Sequence, residues 1–211
     1  MTDSLTSSAE VGLSVLRRLS AVLADAFTAD DVARATLETL LEVPGVLRAG
    51  IALNNSGGRQ LRFVSTDEDS LTPTRVRWCL IDAFADVPLV DAVRRGAHVY
   101  AATQDELRAT YPGFAVRQRE LGTHGLVALS LSTESEHVGG LLLCFEEEQS
   151  FDTEQTWLLS ALSAQVTQAL RKGLAYHVQH TTAEQLQRSL MPRSLPDLSG
   201  LALGSHYRPA A

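Results

Sequence analysis

Two apolar segments in the second half of the chain are joined by a link of only four residues, T-E-S-E, and that link decides how they can pair. Residues 125–132 alternate apolar side chains, and residues 137–146 contain the unbroken run Leu141–Leu143, so both are typical of buried strands. A parallel arrangement would need a crossover of about a dozen residues or more. The two segments therefore predict an antiparallel pair at the centre of a sheet.

The residues before this pair predict a mixture of helices and strands. Thr28 and Asp31 have the spacing of a capping box, which separates a first helix at 9–27 from a second helix that ends at Pro44-Gly45. The further elements are a hairpin around the turn N-N-S-G-G, a third helix at 75–85, a short helix at 88–95, a strand at 98–101 and helical turns within 104–122. Helices mixed with antiparallel strands in this order predict an α+β fold.

A single long helix is predicted from residue 152 to residue 190. One apolar stripe recurs every fourth residue from Leu158 to Val178, and it winds around the helix because four residues overshoot the 3.6-residue turn. A second stripe alternates steps of three and four and keeps to one face; its members are Leu159, Leu162, Val166, Ala169, Gly173 and Tyr176. We expect one surface of this helix to pack on the sheet and the other on a neighbouring helix.

The charge and hydropathy of the chain exclude several classes of protein. The net charge of −7 is opposite to the basic field that non-specific binding of nucleic acids or anionic membranes needs. No apolar run approaches the ~20 residues that span a bilayer, and the first ten residues do not resemble a signal peptide. The two cysteines, Cys79 and Cys144, lie in apolar segments, so we expect buried thiols in a reducing compartment, the cytoplasm.

Four stretches of the chain, together with this order of elements, resemble a GAF domain. They are D-V-P-L-V-D-A-V-R-R-G-A-H-V-Y (86–100), D-E-L-R-A-T-Y-P-G-F (105–114), V-G-G-L-L-L-C-F (138–145) and F-D-T-E-Q-T-W-L-L-S-A-L-S-A-Q (151–165). The resemblance implies a GAF-like central antiparallel sheet with the terminal helices packed on one face, a long C-terminal helix, and a ligand pocket on the other face. None of the four stretches is a catalytic signature.

The end of the chain resembles a different family. L-Q-R-S-L-M-P (186–192), L-P (195–196) and Y-R-P-A (207–210) match the segments that precede the catalytic sheet in bacterial SpoIIE-like serine/threonine phosphatases of the metal-dependent PPM family. The family's metal-binding aspartates come after this motif, so the resemblance implies Mn or Mg only in the missing phosphatase domain and no catalytic residue here. The expected parts are an N-terminal dimerisation helix (1–27), a GAF sensory domain (28–175, with its closing helix from 152), a helical linker (176–191) and a truncated start of the phosphatase domain (192–211).

The pocket that the GAF resemblance implies would be lined by Trp78, Tyr100, Tyr111, Phe114 and His124. Small-molecule sites are generally built from aromatic and apolar groups with a few polar ones. The alternative is that these side chains simply fill the pocket. Arg94, Arg117 and Arg119 could bind an anionic ligand.

Other chemistries find less support in the residues. The histidines show no convincing metal-ligand spacing, and His177 and His180 fit a solvated helix face. A chromophore bound to cysteine, a haem with His98 or His124 as its axial ligand, and a cyclic nucleotide, whose N-K-F-D-E pattern is absent, are each weakly supported. Thiol catalysis is weakly supported too, because a reactive thiolate needs an electropositive, partly exposed environment.

We therefore predict a regulatory domain without catalytic residues, which senses a small molecule and controls a C-terminal protein serine/threonine phosphatase in the same chain. We expect a homodimer formed by the first and last helices, with no nucleic-acid or membrane partner. The candidate interface residues are Leu16, Leu19, Leu23, Leu159, Val166 and Tyr176. The alternatives are a thiol enzyme such as a free methionine sulfoxide reductase, and a dimerisation scaffold that binds no ligand.

Overall fold

One antiparallel sheet organises the fold. The computed structural model describes residues 2–55, 57–66, 71–72 and 75–190. The strands are β1 (Val46–Asn54), β2 (Gln60–Ser65), β3 (Leu71–Thr72), β4 (Arg75–Val76), β5 (Cys79–Asp82), β6 (Val99–Ala101), β7 (Gly125–Ser132) and β8 (His137–Phe145). The helices are α1 (Thr2–Ala24), α2 (Ala29–Leu41), α3 (Pro88–Arg95), α4 (Gln104–Thr110), α5 (Pro112–Glu120) and α6 (Thr153–Leu190).

Six of these strands form the sheet in the order β5-β2-β1-β8-β7-β6, and every neighbouring pair is antiparallel. β7 and β8 pair from Gly125 opposite Phe145 to Ser132 opposite His137, so the predicted central pair is confirmed. The short strands β3 and β4 form a separate ribbon. The α+β class with a central antiparallel sheet is therefore confirmed.

One face of the sheet is covered by α1, α2 and α6, and the main core lies between them. Side chains of β1, β7 and β8 meet side chains of the three helices there; the fully buried members include Ile51, Leu129, Leu141, Leu19, Leu37 and Leu170. Burying one side chain of this size stabilises the fold by about 1.5–3 kcal/mol. The terminal helices thus pack on one face of the sheet, as predicted.

The opposite face is covered by α3, α4 and α5. α3 lies directly on β8 at Gly140, where an added Cβ would come within 2.8 Å of both Leu89 Cδ1 and Val93 Cγ2. Tyr111 and Leu107 fill the neighbouring area against Leu126. This face is therefore packed with the side chains of the chain itself.

The predicted third helix at residues 75–85 is wrong. Residues 75–76 belong to β4, and residues 79–82 form β5, which pairs with β2 from Phe63 opposite Cys79 to Gln60 opposite Asp82. The apolar positions in this segment have helical spacing, but the segment meets an open edge of the sheet. Pairing with β2 satisfies its backbone groups, and such tertiary context overrides a local pattern.

The capping box that separates the first two helices is confirmed. The Thr28 backbone N–H donates to Asp31 Oδ2, and the Asp31 N–H donates to Thr28 Oγ1, both at 3.1 Å. The Thr28 hydroxyl also donates to Asp31 Oδ2 at 2.7 Å. This hydrogen bond holds the pKa of the Asp31 carboxyl below its usual value.

α6 is one unbroken helix over the predicted range, and a glycine marks its tightest contact. Gly173 is buried where α6 crosses the start of α2, and an added Cβ would lie 2.9 Å from the carbonyl carbon of Thr28 and 3.0 Å from the Ala29 nitrogen. Backbone atoms cannot move aside as a flexible side chain can. The glycine, which weakens a helix in isolation, is therefore required by packing.

We expect Gly173→Ala to lower the free energy of unfolding by about 1–3 kcal/mol, because overpacking against a backbone outweighs the gain of about 1 kcal/mol in helix propensity. Gly12→Ala in α1 is the matched control, since its Cβ meets only the flexible end of Leu158. Urea unfolding of both variants measures the difference. Equal effects of the two substitutions would contradict this account of Gly173.

Candidate functional site

Trp78 lies on the side of the sheet covered by α2 and is half-buried there. Its indole Nε1–H donates to Asp30 Oδ1 at 2.8 Å, and the Arg62 guanidinium lies 4.6 Å from the ring centroid. Arg62 and Asp30 are also within 3.7 Å of each other. Trp78 therefore joins β2 and the start of α2 through its own contacts.

Tyr100 packs on the face of the sheet that α1, α2 and α6 cover, at the β6 edge, which is opposite the edge near Trp78. Its ring centroid lies 5.2 Å from that of Phe151 and 6.2 Å from that of His98. Burial raises the pKa of Tyr100. His98 Nδ1 accepts a hydrogen bond from the Ser130 N–H at 3.0 Å, and burial lowers the pKa of His98.

Tyr111 lies on the other face of the sheet and is only 3% exposed. Its hydroxyl donates to Asp91 Oδ2 at 2.8 Å, and Arg95 pairs with the same carboxylate oxygen. Burial, together with Asp91, raises the pKa of Tyr111 to about 12. Phe114 packs beside this cluster, whereas His124 is exposed in the turn before β7.

The five residues predicted to line one pocket are thus distributed over both faces of the sheet. Tyr100 and Tyr111 both line a cleft of about 290 Å³ between β6 and α4, together with Glu106 and Thr110. Trp78, Phe114 and His124 are not among the described residues that line it. Only Tyr100 of the five lies on a strand; the other four lie in loops or helices, and their positions in the chain do not determine which face of the sheet they meet.

The arginines proposed for anion binding are also apart. Arg94 lines an open cleft of about 380 Å³ beside the β1–β2 turn, with His137, and its guanidinium lies 5.4 Å from the Phe84 ring centroid. Arg117 and Arg119 are exposed on α5.

A third space lies on the face covered by α1, α2 and α6, and we call it the helix-face cavity. It encloses about 220 Å³. Its lining comes from five parts of the fold: Val11, Gly12, Val15 and Leu16; Leu40, Val43 and Pro44; Val46, Leu143 and Phe145; Gln149 and Phe151; and Gln155, Leu158, Leu159 and Leu162. Among these described residues only the two glutamines have polar side chains, and none is charged.

Comparison with known proteins decides the family. A GAF domain family model matches residues 28–171, more than half of the chain. The chain belongs to the GAF family. No curated protein sequence matches it.

Solved GAF structures share the fold at low sequence identity. The GAF domain of a phosphoenolpyruvate-protein phosphotransferase from Acinetobacter has a TM-score of 0.60 at 15% identity, with 77% of this chain and 94% of that chain covered. The GAF domain of a phosphoenolpyruvate-protein phosphotransferase from Coxiella burnetii has a TM-score of 0.60 at 15% identity, with 84% of this chain and 98% of that chain covered. The free methionine-R-sulfoxide reductase from Neisseria meningitidis, solved with its substrate, has a TM-score of 0.59 at 18% identity, with 80% of this chain and 93% of that chain covered. Identities this low show the fold alone.

The two thiols of this GAF domain are in different environments. Cys144 is buried, as expected, but Cys79 is exposed, so that prediction is wrong for Cys79. β2 and β1 separate β5 from β8, so the strands that carry the two cysteines are three strand spacings, or about 14 Å, apart. A disulfide needs Cα atoms within about 7 Å. The two cysteines therefore cannot form one within the folded domain.

Cys144 and two neutral polar side chains form part of a network beneath α5. Arg48 donates to Gln118 Oε1 at 2.9 Å and to Thr123 Oγ1 at 2.5 Å. The Cys144 thiol lies 3.7 Å from the same Gln118 oxygen. Because each buried polar group has a partner, the network stabilises the α5–β1 contact rather than supplying a free nucleophile.

The part of the chain that the structure describes holds no cluster of potential metal ligands and no helix suited to a membrane. No three His, Cys, Asp or Glu residues there come together in a way that could hold a metal ion. The side chains of His177 and His180 lie outside the described set. None of the described helices is both long and apolar enough to cross a bilayer.

Four of the six residues proposed for a dimer interface lie in the core of the single GAF domain. Leu16, Leu19, Leu23 and Val166 are all less than 9% exposed, so their assignment to an interface is corrected. α1 and α6 use these stripes to cover the sheet and each other, so these four side chains cannot contact a partner. Leu159 is half-buried at the helix-face cavity, and Tyr176 is 48% exposed beside Phe27.

The surface that α1 and α6 do expose is lined by small and amphipathic side chains, and we call it the α1–α6 seam. Its members are Leu13, Ser20, Ala24, Trp157, Ala164 and Gln168. An open groove of about 520 Å³ runs between the two helices there. Trp157, Ala164 and Gln168 share one helix face by their spacing, but small residues give a weak apolar signal, so the sequence pattern did not reveal the seam.

We expect the stability of the GAF domain to fall as the pH rises from about 10 to about 12. The folded pKa of Tyr111 is about 12, above the value of about 10 for a free tyrosine, so the contribution of its neutral form is complete below pH ~10 and is lost as the phenol ionises. Tyr111→Phe should flatten this dependence in urea unfolding at a series of pH values. If the free energy of unfolding falls with pH as steeply in Tyr111→Phe as in the parent protein, Tyr111 is not the group responsible.

Proposed function

We propose that this GAF domain is a regulatory input module: it senses a small molecule, dimerises through α1 and α6, and controls a PPM-family serine/threonine phosphatase domain in the same cytoplasmic chain. The observation that carries the proposal is the continuity of α6. This helix begins at Thr153, inside the region that matches the family, and continues to Leu190, well past the end of that region at residue 171. A change in the domain can therefore be carried along the helix as far as Leu190.

The contacts of α6 support this role. Leu162, Val166 and Leu170 are buried against the sheet and the neighbouring helices, whereas Tyr176 and Val178 are 48% and 63% exposed. A helix held along one half carries a shift or rotation of that half to its other end.

The α1–α6 seam supports dimerisation. Its small side chains would let the helices of a second copy approach closely, at the 8–10 Å separation that packed helices adopt. Trp157, which is 61% exposed, and Leu13, which is 49% exposed, supply apolar surface at one end of the seam. A twofold contact through the seam would place the two α6 helices in one bundle.

The identity of the output domain rests on the sequence motifs at 186–192, 195–196 and 207–210. Residues 191–211 lie outside those that the structure describes. The phosphatase domain that these motifs introduce would hold its own Mn or Mg ions and carry out the hydrolysis.

A dimerisation scaffold that binds no ligand is the second candidate. On the face that the GAF resemblance assigns to a ligand, α3 covers the sheet with Leu89 and Val93 against Gly140, and the remaining spaces are the clefts beside α4 and beside the β1–β2 turn. A thiol enzyme is disfavoured, because Cys79 and Cys144 are too far apart to exchange a disulfide.

We expect Ala164→Glu to weaken dimerisation by roughly tenfold or more, because it places an unpaired carboxylate in the seam. Ala109→Glu is the matched control: it makes the same change at an exposed position of α4, on the opposite face of the sheet. Sedimentation equilibrium measures both dissociation constants. A parent protein that stays monomeric at every concentration would refute the proposed dimer.

The helical output is tested in the protein extended through its phosphatase domain. We expect two residues inserted after Val178 to change phosphatase activity, since each inserted residue rotates the C-terminal part of the chain by about 100° around the helix axis. Seven inserted residues are the control, because they bring the C-terminal part of the chain back to within about 20° of its original orientation around the helix axis. Activity toward p-nitrophenyl phosphate with Mn measures both. Equal activities of the two insertions would refute transmission through the phase of α6, and an inactive parent would refute the assigned output domain.

A further inference from the structure

The helix-face cavity lies on the opposite side of the sheet from the pocket that the GAF resemblance implied. On that other side α3 covers the sheet at Gly140 and leaves clefts beside α4 and beside the β1–β2 turn. The helix-face cavity is a separate space of about 220 Å³ between α1, α2, α6 and the sheet. The cavity is open to solvent on one side, where Val11 is 42% exposed, so it is an apolar cleft that a small molecule can enter.

We infer that the helix-face cavity binds a small, neutral, mostly hydrocarbon molecule with a single polar end. This inference rests on the proposed function and names the class of molecule that the domain senses. It assigns the ligand to the face from which α6 leaves the domain.

The chemistry of the walls selects a neutral ligand. Val15, Leu158 and Leu159 are among the apolar residues that surround the space, and no charged side chain is among the described residues that line it. A buried ionised group without a partner carries a large desolvation cost. A carboxylate or an ammonium would therefore bind poorly, while a hydrocarbon loses only its contact with water.

The two polar residues of the lining define where the polar end lies. Gln149 and Gln155 are half-buried on the segment that leads into α6 and at its first turn. Gln149 Nε2 donates to the Glu147 carbonyl at 3.0 Å, and Gln155 Oε1 accepts from the Ser150 hydroxyl at 3.5 Å. Their remaining amide atoms can bind one hydroxyl or carbonyl group. No other described residue of the lining has a polar side chain, so a second polar group on the ligand would find no side-chain partner there.

The volume sets the size of the molecule. An apolar cavity of about 150 Å³ in another protein accommodates benzene. On the same scale, 220 Å³ suits a molecule of about nine non-hydrogen atoms. Short aliphatic alcohols and simple aromatic alcohols are of this size.

The position of the cavity links its occupancy to α6. Val11 and Val15 of α1 form one wall, and Leu158 and Leu159 of α6 form another. Gly12 allows α1 to approach Leu158 closely between them. A ligand that fits better when the two helices are slightly apart would shift the domain toward that arrangement by its difference in affinity.

Binding of 1-octanol to the GAF chain, measured by calorimetry and by methyl shifts of Val15 and Leu158, tests the inference. Val15→Phe fills the cavity and should weaken binding by roughly tenfold or more. Val22→Phe is the matched control, since it makes the same change two turns along α1, packed on the core but outside the cavity lining. Val43→Phe fills the cavity from the α2 side and serves if Val15→Phe does not fold.

Two analogues of the probe test the chemistry. Octanoate should bind more weakly than 1-octanol because of its charge, and 1,8-octanediol more weakly because its second hydroxyl has no partner. Saturable binding with this ranking, lost in the filled variants and kept in Val22→Phe, is the expected result. No binding of 1-octanol at millimolar concentration, equal binding of all three probes, or binding that survives Val15→Phe and Val43→Phe would overturn the inference.

The outcomes separate this inference from the proposed function. Insertions after Val178 lie outside the cavity and should leave 1-octanol binding unchanged. Binding that is lost in the filled variants while the insertions leave activity unchanged would support the ligand site and overturn the helical output. If 1-octanol binding survives in the filled variants while the insertions change phosphatase activity, the helical output is supported and the ligand site is overturned.

Discussion

The packing of α6 on the sheet is the constraint on which the rest of the structure depends. Leu162, Val166 and Leu170 hold the first half of the helix against the main core, and Gly173 lets its backbone pass over the start of α2. The capping box at Thr28 and Asp31 fixes where α2 starts, and therefore which backbone atoms α6 must cross. The direction in which α6 leaves the domain is set by this crossing, because a larger residue at 173 would force α2 and α6 apart.

The two faces of the sheet are used differently, and the difference bears on function. On one face α3 lies on Gly140, and Tyr111 completes the packing with its hydroxyl bound to Asp91. On the other face α1, α2 and α6 leave the helix-face cavity between themselves and the sheet. A ligand in contact with α1 and α6 therefore has space on the face that α1, α2 and α6 cover.

Much of the fold could be predicted from local patterns, and less of the candidate site. The four-residue link at 133–136 leaves only antiparallel pairing of β7 and β8, and Thr28 with Asp31 marks a helix start by spacing alone. The segment at 75–85 was wrongly predicted as a helix, because the same apolar spacing serves a strand once β2 offers an edge. The aromatic residues named for one pocket, such as Trp78 and Tyr111, lie on opposite faces, and their spacing along the chain carries no information about which face they occupy.

The sequence by itself determined the α+β class, the antiparallel centre, the unbroken last helix and the membership of a family without a catalytic signature in its motifs. The class, the antiparallel centre and the last helix arise from periodicity, turn length and capping, which act between residues near each other in the chain, whereas the family membership rests on the match to the family model. Only the tertiary structure decided which apolar stripe of α1 and α6 is buried, why residue 173 is glycine, and where a cavity remains. Those outcomes depend on how distant elements fit together, since Leu16 and Val166 are apolar whether their neighbour is the same chain or a second one.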